Sequence, residues 1–240
     1  MVKKRLSEFH VGDFDDSNLP HIGGLQRRGM LLVLSAPSGG GKTTMANELI
    51  ATDPDVFRST SCTTRKPRGQ EIDGKEYHFV THDRFHEMKG GKELLEWTQV
   101  YENFYGTPLK QVDDALAQGK DVLFAIDNHG ARQIKEVAPE DIVSVFILPP
   151  SMEELERRLI NRGQDTPESV RIRMKDLEKE IEYYRDYDYV IINRNLEDSM
   201  LKLRTILGAE RMKRDRLHGL EDFSQRLQSE LSERRNSIEN

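Results

Sequence analysis

Four short stretches of the chain are apolar at nearly every position: Gly29-Met30-Leu31-Leu32-Val33-Leu34-Ser35, Asp121-Val122-Leu123-Phe124-Ala125-Ile126-Asp127, Ile142-Val143-Ser144-Val145-Phe146-Ile147-Leu148 and Tyr189-Val190-Ile191-Ile192-Asn193. An unbroken apolar run of this length suits a strand covered on both faces, as in parallel sheets, whereas a half-exposed strand would alternate. The segments between the runs are long and charged enough for crossover helices. The pattern therefore predicts an α/β fold, a parallel sheet covered by helices, with ligands bound at the carboxyl ends of the strands.

Two segments break this rhythm. Residues 59–108 are rich in Thr, Arg, Gly and aromatics and read as an inserted small lobe. Residues 152–185 are strongly charged and helical in pattern, interrupted by Gly163-Gln164-Asp165-Thr166-Pro167, which predicts a helical hairpin projecting from the core. Residues 1–28 mix charge, Gly and Pro without a period and read as an extension before the fold. In the last segment, 209–240, Leu217, Leu220, Phe223, Leu227 and Leu231 recur at three- and four-residue intervals and predict one apolar helix face. That face needs a partner, either the chain's own core or a second subunit, and a homodimer through this tail is the expectation favoured here.

Composition narrows the function classes. With 36 Lys and Arg against 42 Asp and Glu, the net charge of -6 argues against binding a nucleic-acid backbone, though nucleotides remain open through local basic clusters. Cys62 is the only cysteine, which excludes an intramolecular disulfide framework and any cysteine-built zinc site. No apolar run approaches the roughly 20 residues needed to cross a bilayer, and the basic N-terminus is not followed by an apolar signal core. The expectation is a cytoplasmic protein without membrane or nucleic-acid partners.

The first apolar run opens into Ala36-Pro37-Ser38-Gly39-Gly40-Gly41-Lys42-Thr43-Thr44, followed by a helical pattern. This matches the phosphate-loop pattern except that Ala36 stands in place of its first Gly. Three glycines let backbone N–H groups turn toward phosphate oxygens, and the helix N-terminus adds a fixed positive potential. Lys42 is placed to reach β- and γ-phosphates, and the Thr43 hydroxyl to ligate Mg²⁺ directly or through water. Asp127, ending the second run, is the matching candidate for Mg²⁺-bound water or substrate; a helix N-cap is its plainer reading.

A phosphate loop specifies a phosphoryl donor and leaves the acceptor to the inserted lobe. There, Ser61-Cys62-Thr63-Thr64-Arg65-Lys66-Pro67-Arg68 sets two arginines among hydroxyls, a donor cluster for a phosphate dianion, and Tyr77 and Tyr105 offer phenolic donors. Glu96 lies in Leu94-Leu95-Glu96-Trp97, an acid with apolar neighbours. Its two oxygens match the two N–H groups on one edge of guanine, whereas adenine presents an acceptor there and would leave a buried charge unpaired. A solvated Arg-rich turn plus a surface Glu is the alternative.

The ordered set Ser61 to Arg68, Asp73-Gly74-Lys75-Glu76-Tyr77-His78-Phe79, Glu96-Trp97 and Tyr105-Gly106-Thr107 resembles the guanylate kinase family in order and spacing, over roughly residues 29–208. The resemblance implies a P-loop nucleoside monophosphate kinase fold with an inserted GMP-binding lobe and a helical lid. It implies transfer of the γ-phosphoryl group of Mg·ATP to GMP or dGMP. Ser61, Glu96 and Thr107 would read guanine, while Arg65, Arg68, Tyr77 and Tyr105 would hold the GMP phosphate, with Asp127 beside them. Arg162 and Arg173 match the lid arginines that join Lys42 and Arg65 at the transferring phosphates. Three positions depart from the family: Ala125 where an acid is usual, Asn128-His129 before Gly130, and Asn193-Arg194-Asn195. Another nucleoside monophosphate kinase, or a non-catalytic module of the same family, are the rival readings; Glu96 and the intact loop weigh against each in turn.

Overall fold

A computed structural model describes residues 25–161, 177 and 180–238. The core is a five-stranded, wholly parallel sheet in the order β10-β9-β2-β8-β3. Its strands are β2 (Leu31–Ser35), β3 (Val56–Phe57), β8 (Asp121–Ala125), β9 (Ile142–Leu148) and β10 (Tyr189–Ile192). Four of these are the apolar runs of the sequence. The fifth, β3, is two residues long and too short to register as a periodic pattern.

One sheet face packs Leu32, Leu34, Leu123, Val145 and Ile191 against α1 (Lys42–Thr52) and α6 (Leu196–Arg211). The other packs Leu31, Val33, Val122 and Phe124 against α3 (Leu109–Ala117) and α4 (Asn128–Val137). Every residue of β2 is buried, so each side chain finds a cover and the run need not alternate. Full burial of each such Leu or Val contributes about 1.5–3 kcal/mol.

The inserted lobe is a second sheet, ordered β5-β4-β7-β6, built from β4 (Cys62–Thr63), β5 (His78–Phe79), β6 (Leu94–Val100) and β7 (Asn103–Pro108). Helix α2 (His82–Gly90) closes it, with Phe85 and Met88 packed on Cys62 and Leu94. Burial pushes the Cys62 thiol up to about 11, which leaves it a packing residue. Of the charged hairpin, α5 (Met152–Asn161) is described, and its Leu155 and Leu159 enclose Leu177. Arg162, Arg173 and the turn between them lie outside the described residues.

Both chain ends contribute to the base of the core. β1 (Gln26–Arg27) pairs antiparallel with β11 (Leu217–His218). Arg27 and Arg211 both bond the fully buried Asp121, and Arg211 also reaches Asp53 at the end of α1. The segments before 29 and after 208, read from sequence as extensions, are thus tied to the sheet through residues 25–28 and 209–218. Beyond them α7 (Leu220–Ile238) buries none of its residues, and Leu227 and Leu231 remain half exposed. No helix among the described residues is long and apolar enough to cross a membrane.

Candidate active site

The loop between β2 and α1 turns on two glycines in the left-handed region, Gly39 (φ +85°) and Gly41 (φ +103°), where a side chain would be strained. Gly40 is required for space, since a Cβ there would lie 2.8 Å from that of Ala36. Helix α1 begins at Lys42 with Gly41 as its cap, no capping side chain and no acid in its first turn. Its leading N–H groups and positive end therefore meet no anion from the helix's own first turn, an arrangement suited to phosphate.

Lys42 is drawn inward. Its ammonium donates to the Ile126 carbonyl at 3.1 Å, and burial lowers its pKa while Asp127 and Glu180 partly restore it. Glu180, from the second half of the hairpin, accepts from the Ser38 backbone N–H at 3.3 Å. A carboxylate therefore occupies one of the loop's anion-binding donors. Thr43 and Thr44 are exposed at the head of α1.

Asp127 fulfils its plainer reading and keeps the other available. It caps α4, accepting from Gly130 N–H at 3.0 Å, and it also lines a cavity of about 500 Å³ with Ser35, Pro37, His129 and Glu180. Strand β8 stops at Ala125, whose methyl packs on the apolar cluster beneath α1. An acid at that position would press a charge toward Leu34 and Met45. Among the described residues no group of three or more His, Cys, Asp or Glu is placed to hold a metal. Asp127 lines the cavity and Thr43 stands exposed at the head of α1; both are hard oxygen donors, which fits Mg²⁺ brought in largely by nucleotide phosphates and water.

The lobe assembles the residues expected to read guanine. Thr107 Oγ1 donates to Glu96 Oε1 at 2.7 Å, and Ser61 Oγ lies 3.5 Å from Thr107 Oγ1. Glu96 is buried, and that burial raises its pKa; the Thr107 hydrogen bond and His129 oppose the rise, whereas Asp127 adds to it. Three of the expected phosphate holders, Arg65, Tyr77 and Tyr105, also converge, while Arg68 is exposed. Arg65 lies over the Tyr77 ring, 5.3 Å from its centroid, and Tyr77 meets Tyr105 edge-on at 5.9 Å.

Glu71, which sequence reasoning passed over as one acid among many, governs this cluster. Both its oxygens pair with Arg65 at 2.9 Å, it accepts from the Arg68 backbone N–H at 2.7 Å, and Arg65 holds its carboxyl down to about 2. Asn193 opens the tripeptide Asn193-Arg194-Asn195, whose departure from the family's usual Asn-Asp-Asp lies in its second and third residues. Its Nδ2 donates to the Gly40 carbonyl at 2.9 Å while its Oδ1 accepts from Ser199, so the end of β10 braces the phosphate loop. Arg158, also unforeseen, donates to the Asn193 carbonyl and lines a recess of about 260 Å³ with Gly39, Gly41 and Thr44.

Comparison with known proteins agrees with this geometry. The guanylate kinase family model matches residues 28–210. A guanylate kinase of Paramagnetospirillum magneticum is 51% identical over 199 residues, covering 83% of this chain and 93% of that protein. One from Agrobacterium fabrum is 47% identical, covering 86% and 94%. The crystal structure of guanylate kinase from Anaplasma phagocytophilum superposes with a TM-score of 0.63 at 38% identity, covering 83% of this chain and 95% of that one. The chain belongs to the guanylate kinase family.

Proposed function

We propose that the chain carries out the family reaction, moving the γ-phosphoryl group of Mg·ATP onto GMP or dGMP, with the residues of the cleft in the following roles. The phosphate loop from Ala36 to Thr44 cradles the ATP phosphates, and Lys42 leaves the Ile126 carbonyl for the β- and γ-oxygens. Thr43 and Asp127 would hold Mg²⁺, which would supply charge compensation for the transferring group. Ser61, Glu96 and Thr107 read guanine, and Arg65, Arg68, Tyr77 and Tyr105 hold its phosphate. Arg162 and Arg173 reach the same centre from the lid.

The attacking oxygen belongs to a phosphate that is already anionic, so no general base is required. Catalysis comes from aligning two anions and compensating their charge in a site from which water is excluded. The observation that carries this reading is the convergence of two devices on one end of the sheet. Asp127 lines one cavity with Ser35, Ala36 and Pro37 of the loop, and α4, which Asp127 caps, bonds the backbone of Trp97 next to the Glu96–Thr107 pair. A coupled assay with ATP, Mg²⁺ and each of the four monophosphates tests it; turnover restricted to GMP supports the assignment, and equal turnover of AMP removes Glu96 from its role.

The reading extends to the setting. A reducing cytoplasm suits the single buried thiol. A homodimer through α7 is supported by its uncovered Leu227, Leu231 and Ile238, because a lone helix of 19 residues gains little stability without packing. Sedimentation at micromolar concentration distinguishes dimer from monomer.

A further inference from the structure

Strand β6 ends the lobe sheet, so among the described residues one of its edges has no strand partner. At Trp97 that edge is closed by a side chain from the core domain. The Trp97 N–H donates to Gln133 Oε1 at 3.0 Å, and Gln133 Nε2 donates to the Trp97 carbonyl at 2.9 Å. One amide thus imitates a neighbouring strand and fixes both polar groups of a single residue. Two parallel bonds set orientation as well as distance, which one bond does not.

The residues on either side of this contact divide their allegiance. Leu95 is buried with Leu31, Val33 and Ile134, in the core beneath α4. Glu96, next along, bonds Thr107 on the partner strand β7. The Trp97 ring packs on the lobe's own core, with the Lys89 ammonium 3.5 Å from its centroid. Trp97 is therefore a joint whose ring belongs to the lobe and whose backbone belongs to α4. Gln133 lies six residues beyond Asp127 on the same helix, about 9 Å along its axis. A rigid stretch of helix therefore connects the acid at the end of β8 with the strand that carries Glu96.

We infer that Gln133 is a positioning residue for acceptor recognition, holding Glu96 at a fixed distance from the phosphate loop through the backbone of Trp97. The inference rests on the reading that Glu96 recognises guanine. Loss of the amide leaves Glu96, Thr107 and the loop chemically intact but lets the edge of β6 shift. Guanine binding weakens, while ATP binding and the transfer step in the saturated complex hardly change.

The test is Gln133→Met in the full chain, which keeps length and volume and removes both hydrogen bonds. The expected result is an increase of about ten-fold in KM and calorimetric Kd for GMP, with kcat and the KM for ATP within about two-fold. Should that variant be unfolded by circular dichroism, Gln133→Glu serves instead. It retains an acceptor for the Trp97 N–H, sets a carboxylate oxygen against the Trp97 carbonyl, and is expected to weaken GMP in the same selective way. Unchanged GMP affinity overturns the inference, as does a parallel loss in kcat and in ATP affinity, the mark of a merely structural contact. Glu96→Gln is the control for the underlying reading: if it lowers GMP selectivity while Gln133→Met leaves GMP affinity intact, only the positioning role fails.

Discussion

Glu96 and Thr107 face each other across the β6–β7 pair, with the threonine hydroxyl donating to the carboxylate at 2.7 Å in a buried setting. One bond from a neutral donor does not compensate a buried charge, and the raised pKa of Glu96 records the deficit. A ligand with two N–H groups on one edge supplies what is missing. Glu96→Gln should therefore lower the GMP-to-AMP ratio of kcat/KM by roughly 10²-fold, because an amide offers one acceptor to two donors. An unchanged ratio would falsify the assignment.

The same burial sets a pH dependence. Below the raised pKa of Glu96 the group is protonated and one acceptor is lost, so KM for GMP should rise as pH falls through that value while KM for ATP stays level. For stability the sign is opposite to that of a salt-bridged acid. The folded state binds its proton more tightly than the unfolded chain, so the contribution of Glu96 is fully present below the unfolded pKa and is lost as pH rises through the folded one. Glu96→Gln should melt no lower than the wild type at pH 7, which differential scanning calorimetry measures.

Much of this was legible in the chain because apolar runs and glycine spacing are local signals. Gly39 to Lys42 announces its loop through the backbone conformations those glycines permit, and β2 announces itself by burial on both faces. What stayed hidden depends on how turns and distant elements bring side chains together. Glu71 looks like any surface acid until the fold brings both its oxygens to Arg65, and Gln133 gains its role from a strand 36 positions earlier. Asp121 opens an apolar run in sequence, yet it is the fully buried acid that Arg27 and Arg211, far apart in the chain, share.

Glu180 occupies a place that nucleotide should contest. Its carboxylate accepts from the Ser38 N–H and partly restores the pKa of Lys42, so it engages a loop donor suited to a phosphate oxygen. Glu180→Gln removes the negative charge and keeps the size. The Kd for ATP should fall by about five-fold, the equivalent of about 1 kcal/mol from one relieved hydrogen bond. Isothermal titration with ATP and Mg²⁺ checks this, and weaker binding would show that Glu180 supports the nucleotide instead of competing with it.

Lys42 separates catalysis from folding. Burial depresses its pKa and Asp127 and Glu180 restore only part of it, so holding the ammonium there costs stability that a phosphate would offset further. Lys42→Met should lower kcat by about 10²–10³-fold, the usual loss for one charge aimed at a transferring group. Its melting temperature should stay equal or rise. A parallel fall in both quantities would make Lys42 a structural residue.

Two truncations test where the enzyme ends. A cut after Gly208 follows the limit suggested by sequence resemblance, but it removes Arg211 and leaves Asp121 and Asp53 without that cation at the base of the sheet. It also removes Arg216, which donates to the Gly29 carbonyl, and β11, the partner of β1. Breaking a buried pair by deleting one partner costs about 3–5 kcal/mol, a large share of the stability of a single domain. Arg27 stays to bond Asp121, though its strand has lost its neighbour. A cut after Gly219 spares all of these contacts and removes only α7, whose residues are not buried. The shorter cut should melt well below the full chain and lose activity at 37 °C, while the longer one should keep both kcat and melting temperature. If α7 joins two copies, the cut after Gly219 also converts a sedimenting dimer to a monomer without change in kcat. Equal stability of the two truncated forms would show that the ion pairs of Arg211 contribute little, and that the core is complete by Gly208.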